Sequence, residues 1–494
     1  MHTPNGLLHF LCALVFSAAC VPSSTFATAL LTEKMELYLP WLEYNGQTCS
    51  ALLNPESNNG LVFQLAGFDT CGDNVPPGAL ATFDGNDIAV PLVSYRNELY
   101  SATLNHEGNG SFRVTHVAKL RMPEGRGAVL SVALVETRTV DQIVAEYPLA
   151  ALAGLEFRYD VALYRVSYQT LDAFGNLTAA SGIIGAPLGI PAGAPLLSFQ
   201  HGTISDRASA PSVNPKKTGA DLALTLMGSR GYLTVVPDYL GFGESTGLHP
   251  FMHAKSLAWS VIDLIRAARS LAAGNRYPLN GQLFLAGYSE GGYATMAAQR
   301  EMETHHADEF TITASAPMAG AYDLSGTMLQ QVLSNDPLPR PMNFAYLLLA
   351  YNHIYRINYA VHNLLAGGFD TALLEVFDGS QDSDAINASL PSLPSELFST
   401  NLLAALESDS FHPFRTALEN NDVYRWKPIS PTRLYHCLDD DRVPYENSNV
   451  AIDFFTAAGA NVELETLFSG NHIDCAVPAL LNGSTWFDTL VKFP

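Results

Sequence analysis

Three short stretches of the chain carry residues that could do covalent chemistry together. The first is Gly287-Tyr288-Ser289-Glu290-Gly291, which follows the apolar run Leu283-Phe284-Leu285-Ala286 and precedes a helix-like stretch from Tyr293 to Arg300. A serine at the tip of a sharp strand-to-helix turn needs glycines two positions away on either side, because a Cβ there would meet the strand or the helix. The helix behind it points its positive end at the serine, which favours an anionic intermediate. Ser289 therefore reads as a nucleophile, with a plain serine in a tight glycine turn as the alternative.

A serine hydroxyl needs a base, and the base needs an orienting acid. Strand-like Arg433-Leu434-Tyr435 leads into His436-Cys437-Leu438-Asp439-Asp440-Asp441-Arg442-Val443-Pro444. A carboxylate shortly before Val-Pro, on the loop after a strand, selects Asp440, with Asp439 and Asp441 as rivals. The base is His472, in Phe468-Ser469-Gly470-Asn471-His472, expected on a loop between the last strand and a final helix starting at Pro478. His436 reads as a structural hydrogen-bonding residue. His305 and His306, near Asp308 and Glu309, read as solvated at a helix end rather than as a metal site. An oxyanion needs two backbone N–H donors. Glu290, next to the serine, supplies one. Thr203 supplies the other, in His201-Gly202-Thr203 after the strand Ser198-Phe199-Gln200, with His201 bracing the loop. This chemistry calls for no metal or cofactor.

The elements that must hold these residues are legible as a rhythm. From about residue 125, strand-like runs alternate with helical ones: Val161 to Tyr168, Pro195 to Gln200, Tyr232 to Val236, the helix Lys255 to Ala273, the serine stretch, and a strand from Thr311 to Ala316. Such alternation implies a mostly parallel sheet covered on both faces. Residues 325–426 break the rhythm, being rich in Leu, Ala, Phe and Tyr at helical spacing, and read as a helical insertion. Ahead of all this, residues 33–122 read as a small all-β module. Leu39 to Leu53 aligns with Val90 to Leu104, repeating Pro40/Pro91, Tyr44/Tyr95, Ser50/Ser101, Ala51/Ala102 and Leu53/Leu104. Each copy is hairpin-like, with a polar turn at Asn45-Gly46 or Arg96-Asn97. The module suggests no chemistry and reads as a packing appendage or a surface for an unknown partner.

Bulk properties set the limits. The chain has 494 residues, 48% hydrophobic and 15% charged, with a net charge of -22. That field repels phosphate backbones and excludes nucleic acid as a natural partner. Residues 1–29 read as a signal peptide: Leu7 to Val21 is apolar and uncharged, and Ala27-Thr28-Ala29 offers a cleavage site. Ser17-Ala18-Ala19-Cys20 loosely matches a bacterial lipobox, which would anchor the chain through Cys20. No later run is long enough for a membrane helix. With Cys12 and Cys20 in the leader, four cysteines remain. Pairing by neighbourhood joins Cys49 to Cys71 and Cys437 to Cys475, each worth roughly 3–4 kcal/mol in the loop-entropy model, with four free buried thiols as the alternative. The second bridge would tie the acid loop to the base loop.

Taken together, His201-Gly202-Thr203, the segment Pro237 to Ser245 (Pro-Asp-Tyr-Leu-Gly-Phe-Gly-Glu-Ser), Gly287 to Gly291, Asp440 to Pro444 and His472 resemble an α/β-hydrolase, in which acid and base follow the serine in that order. The Asp-Tyr-x-Gly-x-Gly-x-Ser segment and the insertion before the acid resemble the secreted lipases and esterases of the lipase A-like group. The resemblance spans residues 150–494, and the N-terminal module departs from it. It implies carboxylic ester hydrolysis, with the insertion forming a cap over an acyl pocket that Phe344 to Leu349 could line. The same constellation could cut amides, and a binding protein could retain the fold. Turnover of a simple aryl ester separates these readings.

Overall fold

The computed structural model describes residues 19–20, 29–31, 35–44, 47–56, 62–72, 81–95, 98–121, 125–148, 155–190, 193–275, 277–357, 361–366, 376–410 and 412–492. Its strands form two sheets. The first contains β1 (Ala19–Cys20), β2 (Ala29–Leu31), β3 (Leu37–Tyr44), β4 (Gln47–Pro55), β5 (Val62–Gly72), β6 (Ala81–Phe83), β7 (Asp87–Tyr95), β8 (Glu98–Gly108) and β9 (Ser111–Arg121). The second contains β10 (Val129–Arg138), β11 (Val161–Leu171), β12 (Leu177–Pro187), β13 (Ala194–Gln200), β14 (Leu233–Pro237), β15 (Leu279–Tyr288), β16 (Ala314–Met318), β17 (Thr432–His436) and β18 (Val462–Thr466).

The first sheet closes into a barrel with internal two-fold symmetry. β3-β4-β5 and β7-β8-β9 are antiparallel meanders joined through β5 and β9. The gap between β3 and β7 is bridged at one end by β2 and at the other by β6. Each of these runs antiparallel to the strand that follows it and parallel to the other. The repeating unit is thus four strands, one more than the alternation in the sequence displays. Equivalent positions fill the interior: Leu39 and Val90, Leu42 and Val93, Leu53 and Leu104 are all buried. Phe63 faces Phe112 where the two copies meet. Closure of this kind removes free sheet edges. Cys49 is buried and disulfide-bonded, and Cys71 is its cross-strand neighbour. The turns Asn45-Gly46 and Arg96-Asn97 lie outside the described residues, as does the expected leader except Ala19–Cys20 and Ala29.

The second sheet runs β10-β11-β12-β14-β13-β15-β16-β17-β18. It is parallel from β14 to β18 and antiparallel at the β10–β12 end. Alternate residues enter two apolar cores, as a two-residue period requires. Leu196, Val235, Leu283 and Leu285 face the helices Ala254–Gly274 and Glu290–His305. Leu197, Val236, Phe284 and Ala286 face the segment Ala220–Met227 and the helix His472–Asp488. The barrel touches this body through Tyr38 and Leu52, cross-strand partners on its outer side.

Between β16 and β17 the chain makes helical segments, among them Pro341–Tyr355, Ser383–Ala388, Thr400–Ser408 and Pro413–Asn420. Their two ends are clamped by one carboxylate. Asp422 accepts hydrogen bonds from Ser325 N at 3.0 Å and Ser325 Oγ at 2.6 Å, and pairs with Arg425 at 2.9 Å. The neck of the segment is therefore a polar knot in an apolar setting.

The turn after β15 is the tightest packing in the sheet. Ser289 has φ 63° and ψ -123°, a conformation that side chains rarely adopt. The following helix lies so close to the strands that a Cβ at Gly291 would stand 2.0 Å from Gln200 O, and one at Gly287 2.4 Å from Gly291 O. A third glycine shares the constraint: a Cβ at Gly292 would stand 2.1 Å from Met318 O.

Two expectations follow from this packing. Gly291→Ala forces a methyl against a backbone carbonyl that cannot rotate away, so unfolding free energy should fall by more than about 2 kcal/mol. A variant melting with the wild type would show that the helix can withdraw. Burial raises the Asp422 carboxyl to about 7, against the opposing effects of Arg425 and the Ser325 hydrogen bonds. Its folded value thus lies above its unfolded one. The stability it contributes is complete below roughly pH 4 and is lost as pH rises towards the folded value. Urea midpoints measured from pH 4 to 8 should show this decline in the wild type and less of it in Asp422→Asn; parallel curves would refute it.

Candidate active site

The C-terminal ends of the parallel strands bring the singled-out residues to one place, where open α/β sheets generally bind ligands. β13 delivers Thr203, β15 delivers Ser289 and Glu290, the loop after β17 delivers Asp440, and the turn after β18 delivers His472. His472 is not on a free loop, as the sequence suggested. It is the first residue of a helix running to Asp488, with Pro478 inside it. Asn471 starts that helix, its side chain accepting from Ile473 N at 2.9 Å and Asp474 N at 3.0 Å. The N-cap, not the proline, marks the start: Pro478 lies past the first turn, inside the helix, where it has no N–H to offer the preceding turn.

Ser289 Oγ lies 2.8 Å from His472 Nε2, and His472 Nδ1 lies 2.6 Å from Asp440 Oδ2. The three form one continuous hydrogen-bonded line, with Asp440 and His472 buried. The neighbouring aspartates do different things. Asp441 Oδ1 accepts the His472 backbone N–H at 3.0 Å, and Asp439 is exposed. Asp440 Oδ1 accepts from Arg442 N at 3.0 Å and Val443 N at 2.8 Å. Burial acts to raise the Asp440 carboxyl. Hydrogen bonds from His436 and His472, the His472 charge and the Val443 N–H outweigh it and hold the group well below the ordinary carboxylate range. His436 is fully buried, with Nε2 3.2 Å from Asp440 Oδ2 and 3.0 Å from Val443 O, and Nδ1 2.7 Å from Ser448 Oγ.

The loops are fastened to one another. Cys437 and Cys475 form a disulfide with Cα atoms 6.1 Å apart, joining the aspartate loop to the helix that begins at His472. Tyr288 donates from its hydroxyl to His472 O at 2.6 Å, and its ring lies 5.0 Å from the imidazole. The Asp-Tyr-x-Gly-x-Gly segment braces the other side. Asp238 is fully buried and accepts from Ser181 Oγ at 2.6 Å, Ser212 N at 2.8 Å and Ser212 Oγ at 2.5 Å. His201 stacks on Tyr239 at 4.3 Å between centroids, and Tyr239 donates to His201 O. Burial keeps the His201 imidazole below its ordinary value. Among the described residues, neither the Thr203 N–H nor the Glu290 N–H donates to a protein group.

Two contacts had no signal in the sequence. The Glu290 carboxylate, considered there only for its backbone, meets His249 Nε2 at 2.7 Å, both fully buried. His249 also hydrogen-bonds Leu240 O at 2.7 Å. Tyr288, between the glycine and the serine, was read only as a turn residue. Both contacts join segments far apart in the chain and have no local pattern.

Two cavities open at Ser289. The wider has a volume of about 250 Å³ and is bordered by Thr203, Lys217, Arg340, Arg442 and His472, together with apolar residues such as Ile204, Leu222 and Val477. The narrower runs under Phe344 and Leu347 towards Leu324 and Met328. Those four also border an apolar cavity of about 50 Å³ inside the helical segment, with Phe398, Leu402 and Phe414. From the run Phe344 to Leu349, Phe344, Leu347 and Leu348 border cavities, while Ala345, Tyr346 and Leu349 are buried in the core.

Comparison with known proteins places this architecture. A family model described as secretory lipase matches residues 211–332. The rice cell wall degrading esterase LipA from Xanthomonas oryzae is similar at 31% identity and a TM-score of 0.66, over 74% of this chain and 97% of that one. A putative hydrolase from Legionella pneumophila is similar at 28% identity and a TM-score of 0.69, over 73% of this chain and 98% of that one. Candida antarctica lipase A shares the fold at 19% identity and a TM-score of 0.56, over 74% of this chain and 83% of that one. No curated protein sequence matches. With nearly the whole of the LipA esterase matched at that identity, and the family model falling across β14, β15 and the serine turn, this chain belongs to the secretory lipases, α/β-hydrolases that act on carboxylic esters.

Proposed function

We propose that Ser289 is the nucleophile of a serine ester hydrolase, His472 its general base and Asp440 the group that orients the imidazole. The observation that carries this reading is the unbroken line of 2.8 Å and 2.6 Å contacts from Ser289 Oγ through His472 to Asp440 Oδ2. Ser289 Oγ attacks the ester carbonyl while Nε2 takes its proton. Asp440, held ionised by its surroundings, keeps the Nδ1 proton in place and stabilises the imidazolium. The Thr203 and Glu290 N–H groups, which have no other described acceptor, hold the oxyanion. His472 then protonates the departing alkoxide. Water, activated by the same imidazole, attacks the acyl-enzyme and releases the acid and free Ser289. The acyl chain lies in the apolar cavity beneath Phe344 and Leu347, so the helical segment acts as a cap that selects it.

The chain is proposed to act outside the cytoplasm. Support comes from the apolar leader with its Ala27-Thr28-Ala29 site and from the buried Cys437–Cys475 bridge, a kind of bond that persists in oxidising compartments. Among the described residues no helix is long and apolar enough to cross a membrane.

With p-nitrophenyl butyrate, Ser289→Ala should lower kcat/KM by ~10⁴-fold or more. The wild type should release a burst of nitrophenolate when deacylation is slow. Equal residual activity in both proteins would remove Ser289 from the mechanism.

A further inference from the structure

The wider cavity at Ser289 is cationic in a chain whose net charge is -22. Lys217, Arg340 and Arg442 border it, and they come from three separate stretches: the loop after β13, the start of the helix Pro341–Tyr355, and the loop after β17. Arg340 and Arg442 border the narrower cavity as well, so the two guanidinium groups flank the passage over the serine.

One of these cations pairs with a carboxylate. Arg340 Nη1 donates to Asp384 Oδ1 at 2.5 Å. That bond, then the Arg340 charge, lower the Asp384 carboxyl, and Arg442 and Lys217 reinforce the effect. Asp384 is not part of a packed structure: its side chain is 89% exposed, on the short helix Ser383–Ala388. Among the described residues, no carboxylate forms a hydrogen bond with Arg442 or Lys217. Asp441 acts on Arg442 through its charge and accepts the His472 N–H. The Arg442 guanidinium is half-buried and lies below its ordinary value through burial and then through the neighbouring Arg340. Arg442 feels the charges of Asp441, Asp384 and Asp440, but among the described residues no carboxylate fills its fork, so a bound anion can. The planar forks of Arg340 and Arg442 match a carboxylate.

Resting on the Ser289 reading above, we propose that the wider cavity is a carboxylate-binding subsite, and that the preferred substrates are esters whose alcohol portion bears a free carboxylate. The apolar cavity takes the acyl chain, so the alcohol portion faces Arg340, Arg442 and Lys217. Asp384, outside the cavity, pairs with Arg340 when no substrate is bound and yields that guanidinium to the substrate's anion. The cluster also supplies local attraction where the field of the whole chain repels anions.

The test compares 3-carboxyphenyl butyrate with its neutral counterpart, 3-carbamoylphenyl butyrate, by kcat/KM. The wild type should favour the carboxyl ester roughly tenfold. Arg442→Gln should bring that ratio near one, and Lys217→Gln, at an exposed position, should lower it. Asp384→Asn removes the internal competitor and should raise the ratio. A wild type that turns over the neutral ester as well as the anionic one, or a ratio unmoved by all three substitutions, overturns the subsite and leaves the Ser289 mechanism standing. Turnover of neither ester, or equal turnover by Ser289→Ala, overturns both.

Discussion

The close approach of the helix Glu290–His305 to the strands β13 and β16 is the constraint on which the rest depends. The chain must leave β15, reverse, and start that helix with its first turn almost touching two backbone carbonyls. Only residues without a Cβ fit at 287, 291 and 292, and the residue at the tip is forced to positive φ. The consequence is chemical as much as geometric. The serine hydroxyl is lifted clear of the sheet, and the first N–H of the helix is left without an internal partner. Strain at this one residue persists because tight packing on both sides over-determines it.

Around that point the molecule solves an electrostatic problem. It holds Asp440 buried and ionised next to an imidazole, in a chain already rich in acid. The solution is local: two backbone N–H groups on one carboxylate oxygen, two histidines on the other. A carboxylate so supplied keeps its charge despite desolvation. Glu290 is a second buried acid one residue from the serine, and it has its own buried histidine, His249. These two buried acids near the serine are thus individually matched, while Lys217, Arg340 and Arg442 border the wider cavity.

The barrel shows a different economy. Two copies of one four-strand unit fill a common interior with equivalent residues, so each apolar position of the repeat is used twice. Neither copy could bury its inner face alone. Among the described residues it meets the larger sheet through outward residues such as Tyr38 and Leu52.

Local chemistry was readable in the sequence because its physical causes are local. The glycines around Ser289, the Asp-x-x-Val-Pro loop and the apolar runs of β13 to β15 each follow from sterics or periodicity within a few residues. The order of serine, acid and base, and the alternation of strands and helices, follow from the same short-range signals. The start of the last helix was misjudged because Asn471 and Pro478 both mark helix starts, and only the capping hydrogen bonds distinguish them. Tertiary structure alone decided that Glu290 pairs with His249 and that Tyr288 steadies His472. It also decided that β2 and β6 close the barrel and that Lys217, Arg340 and Arg442 share one cavity. Each of these joins groups that share no local pattern, by contacts that exist only after the chain has been brought back on itself, so no periodicity, cap or turn rule could announce them.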